Sequence, residues 1–311
     1  MSDSTSTASV TAPTAPIVVV TGANGLVGRR TCAALLERGA TVRAVVRRAG
    51  TAPEGTEEHV GDFGDADLAD EVVLGADVVV TTVHPMGSDL DTQRRVAVEG
   101  TAVLARAAAD AGVARLVHVS TAAVYDRAPG RGDVDESSTL VGEDGGDYPV
   151  TKRETDEALE AVTGLTRVLL RPPAILGDGE SSVWNTLRPA AVRDDEAARR
   201  VDPRKSFAWV HVDDLAALAA DVATSRVPES DDVTRGPVAG ECTVVNVAAG
   251  PATWRDYLGA VTSALGVEPE WVEEDEWTGR VLADRAHGWG WTPQVTLDAA
   301  LAEVRSGLSR A

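Results

Sequence analysis

Short apolar runs rich in β-branched residues alternate with stretches of helical periodicity through much of the chain. Val18-Val19-Val20 predicts a buried strand. The helical residues Arg29, Arg30, Ala33, Ala34, Leu35 and Leu36 follow at once, with Gly39 where a helix stop belongs. Thr41–Val46 predicts a second strand and 58–62 a short third one, and a helix-like segment then runs to Val73. Asp77-Val78-Val79-Val80-Thr81-Thr82 reads as a buried strand, 92–111 as a long alanine-rich helix closed by Gly112, and Leu116-Val117-His118-Val119-Ser120 as another strand. This rhythm predicts an α/β chain built on a doubly wound parallel sheet. Segment 126–147 interrupts it: Gly130, Gly132, Gly142, Gly145, Gly146 and several aspartates make it too polar for core, and it reads as a mobile loop over a site. A helix opens at Tyr148-Pro149-Val150-Thr151-Lys152, where proline suits the first turn. Strands around 207–212 and 243–246 are expected to return to the sheet. Residues 178–206 and 251–311 would then form a smaller lobe over the strands' carboxyl ends, where ligands bind in open α/β sheets.

Where the first strand meets its helix the chain reads Thr21-Gly22-Ala23-Asn24-Gly25-Leu26-Val27-Gly28. A strand, a glycine turn and a helix N-terminus together cradle a phosphate. Gly22 permits the tight turn, Gly25 lets a pyrophosphate approach the backbone, and Gly28 lets helix and strand pack closely. The spacing is not the commoner G-x-G-x-x-G, so the flanking strand and helix carry the assignment of a dinucleotide site. Roughly 20 residues on, where such folds contact the adenosine ribose, the second strand ends in Arg47-Arg48. A carboxylate there would hold the 2′-hydroxyl of NAD, whereas arginines pair with the 2′-phosphate of NADP. NADP(H) is the preferred cofactor on this reading and NAD(H) the alternative. The i, i+4 spacing of Tyr148 and Lys152 puts a phenol and an ammonium on one helix face. A nearby ammonium lowers a phenol's pKa from its reference near 10, which makes tyrosine a usable general acid/base.

These motifs resemble the extended short-chain dehydrogenase/reductase superfamily, often labelled the NAD-dependent epimerase/dehydratase family. The resemblance runs from about residue 17 to 306. It adds Gly61-Asp62, Val117 through Tyr125, Arg171-Pro172-Pro173-Ala174-Ile175-Leu176-Gly177, Val210-His211-Val212-Asp213-Asp214-Leu215, Asn246-Val247 and Gly290-Trp291-Thr292-Pro293. It implies a Rossmann domain over 17–177, with contributions from about 207–226 and 243–250, and a substrate-binding lobe from 178–206 and 251–311. It further implies Tyr148 as proton donor and acceptor, and Thr121 as hydrogen-bond partner of the reacting oxygen. Lys152 would lower the phenol's pKa and hold the nicotinamide ribose. Gly22, Asn24, Gly25, Leu26, Val27, Gly28, Asp62 and Phe63 would contact the cofactor. Ser120 should leave its strand on the other face, and Arg171 and Asp213 read as structural, in buried or capping ion pairs. A homodimer is implied through the helices 92–111 and 148–161, the first rich in alanine that would suit close packing.

Departures from the family narrow the chemistry. Sugar-nucleotide dehydratases carry an acidic pair after the catalytic Thr, and Ala122 and Ala123 stand there. Ala97 replaces an Asn, which removes a water relay. Thr81-Thr82-Val83-His84 stands where the family commonly has a His-Leu-Ala-Ala-like run, the Pro85-Met86 pair that follows resembles the NADPH-using dihydroflavonol-reductase-like branch, and His84 is the histidine best placed for a substrate contact. His59, His118 and His211 read as satisfied structural histidines. All seven tryptophans follow residue 183 and read mostly as lobe core or interface, with Trp184 as a wall of the substrate pocket. Arg204 and Lys205 read as a solvated face rather than a diphosphate clamp.

Composition changes the picture little. The balance is acidic, with 29 Lys+Arg against 49 Asp+Glu and only Lys152 and Lys205 as lysines, which argues against nucleic acid and anionic membranes as partners. Cys32 and Cys242 match no metal or redox spacing, no metal constellation appears, and a reducing, cytoplasmic setting is the simplest reading. Residues 1–16 read as a disordered tail without signal-peptide character, and no apolar run is long enough to span a bilayer. The leading expectation is an NAD(P)-dependent oxidoreductase of a small carbonyl or alcohol. A nucleotide-sugar epimerase with retained NAD comes second and a non-catalytic NAD(P) sensor third.

Overall fold

The computed structural model describes residues 15–309, so all but the last two residues of the expected tail lie outside it. In chain order come β1 (Ile17–Thr21), α1 (Leu26–Glu37), β2 (Thr41–Val46), β3 (Glu57–Val60), α2 (Ala66–Val73) and β4 (Val78–Thr81). Next are α3 (Leu90–Gln93), a π-helical stretch (Arg94–Glu99), α4 (Gly100–Asp110), β5 (Arg115–Val119), α5 (Asp147–Glu160), β6 (Thr166–Arg171) and β7 (Ala174–Leu176). The remainder holds α6 (Arg188–Asp194), β8 (Arg200–Val201), β9 (Trp209–His211), α7 (Val212–Ala223), β10 (Cys242–Asn246), α8 (Trp254–Leu265), β11 (Glu270–Trp271), α9 (Asp284–Gly288) and α10 (Leu297–Leu308).

Seven parallel strands form the main sheet in the order β10-β6-β5-β4-β1-β2-β3. Alternate side chains of each strand pack to opposite faces. Val18, Val20, Val80, Val117, Val168 and Leu170 face one layer with Leu35 of α1 and Leu215 and Leu218 of α7. Val19, Val79, Leu116 and Leu169 face the other, with Leu104, Ala105 and Ala108 of α4 and Leu159 of α5. Burial on both faces explains why these strands read as unbroken apolar runs; each such valine contributes about 1.5–3 kcal/mol. The strand order reverses between β1 and β4, and a crevice opens at their carboxyl ends. A third cluster, built from Leu176, Val192, Val201, Phe207, Trp209, Tyr257, Leu258, Val261, Leu301 and Val304, forms the smaller lobe beside it.

Several expectations are revised. Residues 207–212 do not rejoin the main sheet: β9 pairs with β7 in a separate two-stranded sheet. Pro172-Pro173 follow β6 and offer no N–H to a ladder, so the chain leaves the sheet there, and β10 takes the place beside β6. The helix expected over 92–111 contains the wider π winding, which a 3.6-residue pattern does not reveal. Its buried alanines pack within the chain, Ala105 and Ala108 with no exposure at all, so they present no surface to a second copy. Segment 126–147 is tied down rather than free. Val134 donates to Arg280 O and accepts from Leu282 N, Trp277 Nε1 donates to Gly132 O (2.9 Å), and Arg280 pairs with Asp133 (2.6 Å). Trp277, Trp289 and Trp291 join the sheet-side core rather than the lobe's own, because this returning segment lies against the sheet; Arg285 of α9 donates to Val244 O in β10.

Candidate active site

β1 ends at Thr21 and Gly22 turns the chain at φ +68°; a Cβ there would lie 2.8 Å from Thr82 Oγ1. Gly25 N donates to Gly22 O (2.9 Å), and α1 begins with no side-chain cap and no acidic residue in its first turn. A Cβ on Gly28 would sit 2.1 Å from Gly22 O, so helix and turn can meet only at glycine. Unpaired first-turn N–H groups at a helix N-terminus form an anion site. The residues present therefore fit a pyrophosphate, and Gly22, Asn24, Gly25, Leu26, Val27 and Gly28 line one arm of a cleft of about 1040 Å³. That volume is at the upper end of small-molecule pockets, roughly 300–1,000 Å³.

At the far end of this arm lie Val46, Arg47, Asp62 and Phe63. Glu58 fixes the bend after β2: its carboxylate accepts from Gly50 N (2.9 Å), Thr51 N and Ala52 N (both 3.1 Å), which hold it below its usual pKa. Asn24 Nδ2 donates to Thr51 Oγ1 (3.1 Å) and ties the glycine turn to the same bend. Arg47 is exposed on the cleft wall. Arg48, expected beside it, is exposed off the wall, because the chain bends away at that point. Asp62 Oδ1 accepts from Gly64 N (3.0 Å), and Phe63 packs closely on Gly100.

The other arm holds Thr121, Tyr148 and Lys152 together. Thr121 follows β5 and caps a short 3-10 turn, accepting from Ala123 N (3.1 Å). Tyr148 and Lys152 share a face of α5, and a further turn along that face is Asp156. Sequence reading missed Asp156, although its i+8 spacing from Tyr148 was a signal. Asp156 pairs with Arg171 (3.0 Å), Arg171 donates to Tyr125 Oη (3.1 Å), and Tyr125 donates to Asn246 Oδ1 (2.7 Å). Arg171 is thus structural as expected, while Asp213 lies 3.5 Å from Arg30 at the start of α7. Burial raises the Asp156 carboxyl against the pull of Arg171, Ser120 and Lys152.

One expectation about Lys152 is not met. Its Nζ donates to Val119 O (2.8 Å), and burial lowers the ammonium to about 8, with Asp156 opposing. The Tyr148 phenol is raised, not lowered: burial dominates, Asp156 adds to it, and hydrogen bonding with Thr121 and the charge of Arg127 oppose it.

His84 stands with its ring edge-on to Tyr148, 4.8 Å between centroids. Gln93 Nε2 donates to Ser88 O (2.8 Å), so its Oε1 faces His84 Nε2 (3.0 Å) and Thr151 Oγ1 (3.0 Å). His84 Nε2 therefore carries the proton. Burial, then the Lys152 charge, lower His84 to about 4. His118 is buried with Nδ1 against Thr81 Oγ1 (2.6 Å), but its Nε2 has no hydrogen-bond partner, so it is only half satisfied. His59 meets Glu71 (3.3 Å) and His211 meets Glu303 (2.9 Å). Among the described residues no cluster of His, Cys, Asp or Glu could hold a metal ion, and no helix is long and apolar enough to cross a membrane. Burial raises the thiols of Cys32 to about 12 and Cys242 to about 11.

Beyond Tyr148 the cleft widens into an aromatic cup. Trp184 lines it, held edge-on to Phe207 (5.1 Å), Trp254 (5.9 Å) and Tyr257 (5.5 Å). Phe207, Trp254, Trp277 and Arg127 also line the cup, and none was singled out as a site residue from sequence. Nothing local marks them, since they come from four separate segments. Lys205 lies on the wall rather than on a solvated face, but Glu276 takes it (2.8 Å); Arg204 pairs with Asp202 (2.7 Å).

The profile of the NAD dependent epimerase/dehydratase family matches residues 18–233. A 4-hydroxy-2-methyl-3-oxo-4-farnesyl-3,4-dihydroquinoline-1-oxide ketoreductase of Stigmatella aurantiaca is 33% identical over 264 residues, 81% of this chain and 74% of the relative. A ceramide reductase of Caulobacter vibrioides is 27% identical over 82% of this chain and 73% of its own length. Among solved structures, a short-chain dehydrogenase/reductase superfamily protein from Agrobacterium tumefaciens with bound NAD superposes with a TM-score of 0.74 at 23% identity, covering 94% of this chain and 96% of the other. A UDP-glucose 4-epimerase of Thermotoga maritima gives 0.73 at 16% identity, over 94% and 99%.

Proposed function

The chain belongs to the NAD dependent epimerase/dehydratase family, and from that premise we propose that it is an NADPH-dependent reductase of a carbonyl compound. The observation that carries this reading is one continuous cleft with a phosphate turn and Arg47 along one arm and Thr121, Tyr148 and Lys152 on the other. When bound, the cofactor would supply a hydride to the carbonyl carbon. Tyr148 gives its proton to the carbonyl oxygen, and Thr121 hydrogen-bonds that oxygen and orients it. A phenol raised by burial is protonated at neutral pH, the form that reduction needs. Thr121 and Arg127 then stabilise the phenolate, and Lys152 holds the nicotinamide ribose. Gly22, Gly25 and Gly28 with Leu26 and Val27 take the pyrophosphate, while Asp62 and Phe63 flank the adenine. His84, neutral and packed on Tyr148, serves as a substrate contact, as does Trp184. The lobe residues 178–206 and 251–311 provide the far wall. A homodimer through the outer faces of α4 and α5 is the assembly we expect.

Relatives named as reductases support this reading over the epimerase. The residues 122 and 123, both alanine, supply no second acid and base for dehydration. Arg204 and Lys205, the pair that sequence offered as a diphosphate clamp, are each taken by a carboxylate. The test is to release any nucleotide from the purified protein, then follow NADPH oxidation against a panel of ketones and aldehydes. We expect NADPH-dependent reduction that falls at least a hundredfold in Tyr148→Phe while NADPH binding persists. Full activity in Tyr148→Phe, or protein that arrives loaded with NAD and isomerises sugar nucleotides, would overturn the proposal.

A further inference from the structure

Arg127 is the one cation at the Tyr148 end of the cleft that has no carboxylate or hydrogen-bond partner among the described residues. The nearby acids are each taken by another base: Asp126 by Arg131 (2.8 Å), Asp133 by Arg280 (2.6 Å) and Glu276 by Lys205 (2.8 Å). Lys152 is bonded to Val119 O. The Arg127 guanidinium instead lies over the Trp277 ring, 5.4 Å from its centroid. Trp277 is itself fixed, buried and donating to Gly132 O (2.9 Å) in the segment that carries Arg127. Both side chains line the cleft, and the Arg127 charge acts on the Tyr148 phenol. A guanidinium stacked on an indole keeps its N–H fork free for a planar, bidentate acceptor.

Apart from the Lys205–Glu276 pair and Ser181 and Ser206, the cup around Arg127 is largely apolar. Trp184, Phe207 and Trp254 form its wall, and Met86 and Leu187 add exposed apolar surface at its lining. An arginine partly withdrawn from water and left without a counter-ion carries a desolvation cost, so its place beside the reacting phenol suits an anion brought from outside.

We infer that Arg127 selects the substrate by pairing with a carboxylate that the carbonyl compound carries on an apolar body. This rests on the reductase reading for the identity of the site, and it deepens that reading by naming the substrate class: an oxo acid with a hydrophobic chain or ring. Tyr148 and Thr121 receive the carbonyl oxygen, Arg127 the carboxylate, and the aromatic cup the apolar remainder. Arg127 pairs with the substrate and also eases the Tyr148 phenolate, so its loss raises KM and lowers kcat, and the charge preference in binding isolates the pairing.

Decanoate and decanamide, which differ in charge but hardly in shape, test the inference without turnover. Titrated calorimetrically into the full chain, with and without NADPH, decanoate should bind at least tenfold more tightly than decanamide. Arg127→Met keeps an apolar contact on Trp277 and removes the charge; it should bring decanoate down to the level of decanamide. Arg127→Lys should restore part of the difference. Equal binding of the two probes by the wild type overturns the inference, and this comparison needs no variant to fold. So does an Arg127→Met protein that weakens both probes alike. NADPH oxidation with 3-oxodecanoate and with 2-nonanone separates the two levels. Reduction of both at equal kcat/KM, with no charge preference in binding, removes the inference and leaves the reductase. Arg127-dependent decanoate binding with no carbonyl reduced leaves the anion site and removes the reductase.

Discussion

Replacing Arg47 with alanine tests the cofactor assignment most directly. Arg47 is exposed on the cleft wall, in a bend held by Glu58 and by the Asn24–Thr51 hydrogen bond. No carboxylate pairs with it among the described residues, so its charge is available to a 2′-phosphate. Two unit charges 4 Å apart interact by about 1 kcal/mol in bulk water and about 4 kcal/mol at the effective dielectric of a protein surface. An exposed arginine is close to the water limit and is screened by salt, while the phosphate carries nearly two charges. A net contribution of about 1.5 kcal/mol follows, roughly tenfold in affinity. In calorimetric titrations, Arg47→Ala should weaken NADPH about tenfold and leave NADH within about twofold. The gap between the two cofactors in the wild type should narrow as salt rises. Arg48→Ala, off the wall, should change neither. A wild type that binds NADH as tightly as NADPH would refute the reasoning, and so would an Arg47→Ala protein with an unchanged ratio.

Gly28→Ala places a Cβ 2.1 Å from Gly22 O and 2.9 Å from Ala23 Cα, both backbone, so the helix start must shift; we expect a loss of about 1–3 kcal/mol in denaturant unfolding together with nucleotide affinity. Gly25→Ala meets only Gly22 O at 3.3 Å and should keep the unfolding midpoint while nucleotide affinity falls; two variants with the same loss of stability would contradict the assigned roles. Acid lability should begin early. His84 is lowered to about 4 and His118 well below 6.5, so the unfolded chain binds more protons than the folded one in that window, and stability is lost as pH falls from 6.5 towards 4. His84 accounts for about 2–3 kcal/mol of this at most; urea titrations at pH 7, 5.5 and 4.5 should give a shallower decline for His84→Asn, and an unchanged slope would exclude it as a source.

Residues adjacent in sequence account for most of what could be read in advance. The glycine turn, Arg47 and the Tyr148/Lys152 pair each lie within one strand–turn–helix unit or one helical turn, so spacing alone fixes their relative placement. The parallel sheet was legible for a similar reason: strands buried on both faces leave unbroken runs such as Val18-Val19-Val20 and Val78-Val79-Val80. The same logic held the signal for Asp156, two turns beyond Tyr148, which went unread.

What the tertiary structure decided concerns side chains brought together from distant segments. Arg127 and Trp277 meet only because 126–147 is bonded along 277–282, through Val134, Asp133 and Gly132. The pKa values of Tyr148 and Lys152 also depend on depth. Sequence spacing predicts a charge effect between them, but desolvation raises the phenol and lowers the ammonium, with Asp156 the charge that acts on both. The path of 207–212 follows from the final pairing, in which β10 takes the place beside β6 and β9 pairs with β7 after the break at Pro172-Pro173. Local periodicity sets elements and short-range pairs. Burial, and contact between residues far apart in the chain, exist only once the chain has folded.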